Sequence, residues 1–209
     1  AIVKEVAKKK PRTDWDCTYI PHGIHEDYYK PVTNEKEITE MNAMRKQLTD
    51  DNIEFIVFYN NRNIRRKLPG DIIMAYKHFC DQLPKEQADK CCLLMHTQPR
   101  DQNGTDLPVV AKTIAPDYKV YFSENKLSDV TINMASNEGF GLGTCESLMA
   151  GTPVIVNVTG GLQDQCGFKL NDKFVTYKDY DEIKSFHDDR KWKDNPDLTW
   201  GSWVKPIWP

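Results

Sequence analysis

No apolar stretch in this 209-residue chain approaches the roughly 20 residues a membrane-spanning helix needs. No charged leader with an apolar run behind it opens the chain. With no transmembrane segment and no secretory signal, the expected location is cytoplasmic. Metal-ligand spacings are missing too. The six cysteines, Cys17, Cys80, Cys91, Cys92, Cys145 and Cys166, include no C-x-x-C pair and read as reduced core thiols. Neither charge sign is in large excess. Lys and Arg number 28 against 31 Asp and Glu, for a net charge of -3, so no broad basic surface points to nucleic acid. There is no internal repeat, no low-complexity tract and no readable Ser/His/Asp or Cys/His set. The sequons at Asn103 and Asn157 have no secretory signal to give them meaning.

What is present is alternation. Hydrophobic residues make up 39% of the chain, enough for one sizeable core. Short apolar runs at 55–59, 92–96, 119–122, 130–134, 154–156 and 174–177 read as strands. They are β-branched and aromatic without strict alternation, which suits strands covered on both faces. Amphipathic stretches at 37–48, 71–83, 106–115 and 144–150 read as helices, with Asp71 and Thr105 as N-caps and Gly151 as a C-terminal stop. The pattern predicts an α/β, Rossmann-like parallel sheet with helices on both faces. Residues 1–30 read as a connector, 31–178 as the nucleotide-binding domain, and 179–209 as a charged extension. The start at Ala1 and the aromatic ending suggest an excised piece of a longer protein.

The most informative stretch is SNEGFGLGTCESLMAGTPVI, residues 136–155. Gly139, Gly141 and Gly143 alternate, so the loop cannot be regular helix. A glycine-rich loop that enters a helix lets backbone N–H groups approach an anion, and the helix N-terminus adds partial positive charge. A diphosphate suits it. Glu138 stands before the loop and Glu146 in the expected first helical turn. Carboxylates there can accept paired hydroxyl hydrogen bonds from a sugar or ribose. A tight turn with Glu146 complementing the helix dipole explains the glycines equally well.

A second cluster follows the first strand: Arg62-Asn63-Ile64-Arg65-Arg66-Lys67. Charge runs are usually solvated faces, and Arg65 and Arg66 fit that description. Arg62 and Lys67 stand at the C-terminal end of a strand, where open parallel sheets bind ligands.

Together these strings resemble the glycosyltransferase family 4 type, retaining enzymes of the GT-B fold. E-G-F-G-L-x-x-x-E-x-x-x-x-G-x-P-V-I resembles that family's E-x(7)-E signature. Thr159-Gly160-Gly161-Leu162-Gln163-Asp164 resembles its G-G-x-x-E/D loop, Arg62 with Lys67 its Arg-x(4)-Lys pair, and Ile20-Pro21-His22-Gly23-Ile24 the hinge into its C-terminal domain. Asn61 stands where the family has glycine. The resemblance implies the C-terminal half of a GT-B fold and transfer of a sugar from a nucleoside-diphosphate sugar with retention. It implies no metal and no cofactor beyond the donor. Glu138, Arg62 and Lys67 would act on donor sugar and diphosphate. Gly139, Phe140, Gly141 and Leu142 would line the donor site, and Glu146 would hold the ribose. The acceptor is unspecified, and a missing N-terminal domain, in cis or trans, would complete the cleft. Alternatives are a donor-binding module inactive by itself and a GT-B nucleotide-sugar epimerase. Asp179-Tyr180-Asp181 reads as a helix cap, not a metal motif.

Overall fold

A computed structural model describes residues 23–48, 52–123, 129–175 and 195–208. Most of the expected hinge string (Ile20 to His22) and Asp179-Tyr180-Asp181 lie outside the described residues.

Six strands form one parallel sheet in the order β3-β2-β1-β4-β5-β9. They are β1 (Phe55–Asn60), β2 (Cys91–His96), β3 (Val120–Phe122), β4 (Val130–Asn133), β5 (Val154–Asn157) and β9 (Val204–Ile207). Every pairing between neighbours is parallel, with β1 and β2 in register over six residues from Phe55↔Cys91 to Asn60↔His96. This is the strand order of doubly wound nucleotide-binding sheets. A small antiparallel sheet joins β6 (Lys169–Leu170) to β7 (Lys173–Phe174) and β8 (Leu198–Thr199).

Successive strand residues point to opposite faces, and the core divides accordingly. On one face, Val57 and Tyr59 of β1 and Leu93 and Met95 of β2 pack with helix α2 (Pro69–Asp81) and helix α4 (Leu107–Ile114). α2 contributes Ile72, Ile73, Tyr76 and Cys80, a stripe at helical spacing. On the other face Ile56, Phe58, Cys92 and Leu94 form a second cluster with Ile53. A third cluster, around Val154, Val156, Leu162 and Phe168, holds β5 against α6 (Gly161–Gln165) and β8. Helix α1 (Glu35–Leu48) is tied to the sheet by Arg45, whose guanidinium donates to the Asp129 carboxylate and to the Glu54 carbonyl. The short α3 (Lys85–Ala88) leads into β2.

Several expectations need correction. α2 begins at Pro69, so Asp71 lies within its first turn and is not the N-cap. Proline at the first helical position presets the backbone. Asp106, not Thr105, caps α4: its carboxylate accepts the Val109 N–H at 3.2 Å. Helix α5 (Leu142–Met149) starts two residues before Thr144, with Gly141 as N-cap at φ 87°. Phe174 belongs to the small antiparallel sheet, not the parallel one, and Tyr177 lies outside the described residues. The sixth parallel strand, β9, comes from the stretch read as an extension beyond residue 178. It contains Pro206, which weakens any strand reading. At the sheet edge the missing N–H costs no ladder bond.

Candidate functional site

The chain leaves β1 toward β2 and β3, then returns to β4 on the other side of β1. At such a reversal the connections after the two central strands diverge and open a crevice. Here a cleft of about 310 Å³ is lined by Asn60 and Asn133, the last residues of β1 and β4, by Asn61 and Lys67 after β1, and by Glu138 and Phe140 to Gly143 after β4.

Lys67 ends a single 3₁₀ turn, Arg65–Lys67. Its ammonium contacts the Glu138 carboxylate, and both side chains are nearly covered, 7% and 12% exposed. Two charges taken from water are tolerable only when paired. The turn that carries Lys67 is pinned to the β4 loop. The Arg66 guanidinium donates to the Asn137 carbonyl at 2.7 Å, and the Ser136 N–H donates to the Arg66 carbonyl at 2.9 Å. Arg66, read above as a solvated charge, is therefore a tie between the two loops. Leu68, next to Lys67, is left-handed at φ 51°, a costly conformation for a branched residue that concentrates at functional sites.

The glycines act differently from one another. Only Gly141 of the three in the loop has a left-handed backbone. A Cβ on it would meet Leu162 at 2.6 Å. One on Gly143 would meet the Asn60 side chain at 2.9 Å, while one on Gly139 would meet nothing within 4 Å. Behind this loop sits the Gly160–Gly161 turn. The Gly161 N–H donates to the Glu138 carbonyl at 2.9 Å. A Cβ on Gly160 would lie 2.0 Å from that same oxygen. Gly160→Ala, at φ 49°, must therefore displace backbone and is expected to cost about 2–4 kcal/mol. Gly139→Ala should leave stability within about 1 kcal/mol. Urea unfolding of the two variants checks both; a Gly160→Ala protein as stable as the parent would refute this packing.

The start of α5 is fixed from below by two buried side chains, Asn133 donating to the Thr144 hydroxyl at 3.0 Å. Thr144 and Cys145 both donate their N–H groups to the Gly141 carbonyl. Glu146, half-buried, falls in the second turn of α5 because the helix starts earlier than expected. It is not among the residues that line the cleft.

Arg62 also lies outside that lining. Its Nε donates to Asp101 at 2.7 Å and a terminal nitrogen at 3.2 Å, a two-pronged pair. The Arg62 hydrogen bond, helped by the Asn103 N–H, holds the Asp101 carboxyl below its ordinary 3.8. A depressed carboxyl stabilises the fold above that ordinary value, and the contribution is lost as pH falls through the lower folded one. Asn63, which sequence reading passed over, is fully buried. Its amide donates to the Gln98, Pro99 and Thr105 carbonyls and accepts the Thr105 N–H. It locks the loop after β2 against the loop after β1. A lone Asn in a basic run carries no sequence signal for this.

That β2 loop borders a second cavity of about 590 Å³, lined by His96, Thr97, Gln98, Pro99, Phe122 and Ser123. His96 donates from Nδ1 to the Ser123 carbonyl at 2.9 Å. Among the described residues no three His, Cys, Asp or Glu side chains gather at metal-binding spacing, and no helix is long and apolar enough to cross a membrane.

The fold is that of the C-terminal half of a GT-B glycosyltransferase. HepE of Anabaena in complex with UDP-glucose matches with a TM-score of 0.54 and 17% identity, over 81% of this chain and 47% of that one. Sucrose-phosphate synthase from Thermosynechococcus elongatus matches with a TM-score of 0.53 and 22% identity, over 78% and 40%. The C-terminal domain of a glycosyl transferase group 1 family protein, LpcC from Francisella tularensis, matches with 0.52 and 17%, over 79% and 86%. This chain thus spans less than half of the first two and most of the isolated LpcC domain. No protein-family model matches it, and no curated protein sequence does.

Proposed function

We propose that this chain binds a nucleoside-diphosphate sugar and supplies the donor side of a metal-independent glycosyltransferase that retains anomeric configuration. The observation that carries this is the meeting of Lys67 and Glu138 beside the glycine-rich loop, in a cleft at the sheet's reversal point. Lys67, with Arg62 turning from Asp101, would hold the donor diphosphate. Glu138 and the backbone from Gly139 to Leu142 would contact sugar and phosphate, and Glu146 the ribose. The larger cavity beside Phe122 and Pro99 has room for the base. HepE forms complexes with UDP and with UDP-glucose, which makes UDP the first nucleotide to try.

In the transfer, the acceptor hydroxyl oxygen bonds to the anomeric carbon as the bond from that carbon to the β-phosphate oxygen breaks. The electron pair leaves with the diphosphate, and a phosphate oxygen takes the acceptor proton. Charge grows on the leaving group, where positioned cations stabilise the transition state more than the ground state. A donor-binding module that needs a separate acceptor-binding domain is a second reading, favoured by the chain's spanning 47% of HepE. A GT-B epimerase has no comparable support.

Calorimetric titration without metal, using UDP, GDP, ADP and their sugars, tests the reading. One nucleotide should bind. Arg62→Ala should weaken it about tenfold or more, the loss of one charge-assisted contact. A folded chain that binds none of them defeats the proposal.

A further inference from the structure

Gln165 is the last residue of α6. Its side-chain amide donates to two consecutive backbone carbonyls, Phe140 and, at 3.2 Å, Gly141. Gln165 does not line the cleft, whereas Phe140, Gly141 and Leu142 do. In a planar trans peptide the carbonyl and the following N–H point in opposite directions. Turning the Phe140 carbonyl toward α6 therefore turns the Gly141 N–H away from α6, while the Gly141 carbonyl, which also accepts the Thr144 and Cys145 N–H groups, directs the Leu142 N–H out of the start of α5. Among the described residues neither N–H donates to a backbone carbonyl of another loop. Two adjacent N–H groups aimed one way make an anion-binding concavity. The left-handed Gly141 lets both peptides adopt this orientation, and a Cβ there would lie 3.3 Å from the Gln165 nitrogen.

We propose that Gln165 is a positioning residue that orients the Gly141 N–H, beside the Leu142 N–H at the start of α5, toward a phosphate oxygen of the bound ligand. Gln165 touches no ligand and acts through the peptides it holds. The proposal rests on the reading of this loop as a diphosphate cradle. The amide suits the task because it offers two donors on one nitrogen. Methionine, of similar length, offers none, and a glutamate carboxylate would face two carbonyl oxygens.

The test is titration of the whole chain with UDP and with uridine, for the parent, Gln165→Met and Gln165→Glu. Gln165→Met should weaken UDP roughly tenfold, the worth of about one net hydrogen bond, and leave any uridine binding unchanged. Gln165→Glu should bind UDP poorly at neutral pH. Its affinity relative to the parent at each pH should recover as the acid is lowered through protonation, since a protonated carboxyl donates again. UDP binding by Gln165→Met equal to the parent's overturns the proposal and leaves the donor site standing. So does loss of UDP and uridine alike, or a pH-independent ratio for Gln165→Glu, either of which marks a merely structural role. Should the variants not fold, the parent chain decides: inorganic pyrophosphate should shift the Gly141 and Leu142 amide resonances more than other loop amides, and their failure to move sinks the inference. A parent that binds no nucleotide yet shows these shifts defeats the sugar-nucleotide reading alone.

Discussion

Lys67→Ala is expected to destabilise the fold by about 3–5 kcal/mol, because it leaves the Glu138 carboxylate buried without its counter-charge. The pair is 7% and 12% exposed, so each charge has little other solvation than its partner. Glu138→Ala should cost a similar amount by stranding the ammonium. The double variant Lys67→Met with Glu138→Gln should recover most of the loss, since neither neutral side chain then needs a charge partner. A double-mutant cycle by urea unfolding, completed with the single variants Lys67→Met and Glu138→Gln, measures this directly. Coupling below about 0.5 kcal/mol would mean the two groups are solvated independently. The same variants separate function from stability. The double variant, if folded, should still lose nucleotide binding, because no ammonium remains to meet the diphosphate.

Asn63→Ala is the second large effect. The amide serves three carbonyls and takes one N–H, joining residues 98, 99 and 105 to the β1 loop. Removing it takes the partner from the part-buried Gln98 and Thr105 carbonyls and the Thr105 N–H, while the Pro99 carbonyl keeps the Leu107 N–H; at about 1 kcal/mol each, a total of about 3 kcal/mol is expected. Asn63→Asp should be as damaging or worse, since its carboxylate would face three carbonyl oxygens. Asp cannot donate, and Ala at least removes the repulsion. Hydrogen exchange should show the loss first at the Thr105 N–H, which the Asn63 amide oxygen accepts directly. A chain with normal protection there in Asn63→Ala would refute the role.

Much of the sheet was legible from composition alone. CCLLMH and FIVFYN are apolar runs of strand length, and both are buried on two faces as central parallel strands must be. β9 was not legible. Its four residues hold a proline and a lysine, and what makes VKPI a strand is its partner β5, not any local preference. The sequence pattern puts the start of α5 two residues late because Gly141 as a left-handed N-cap has no side chain to announce itself. Arg66 and Asn63 were missed for a related reason. Their partners are backbone carbonyls on other loops, and no spacing rule encodes those.

By itself the sequence determined the α/β class, the stretches that could carry anion chemistry, and the residue types available there. Local periodicity and glycine placement are near-neighbour properties, so they survive being read in one dimension. Only the tertiary structure decided which of these residues meet. Lys67 and Glu138 are 71 positions apart, and Glu138 and Gly160 touch backbone to backbone. Those contacts follow from the strand order, which sets β4 beside β1 and so brings two distant loops to one opening. Arg62 pairs with Asp101 on the same β2 loop that the buried Asn63 holds, a consequence of packing that no linear pattern contains.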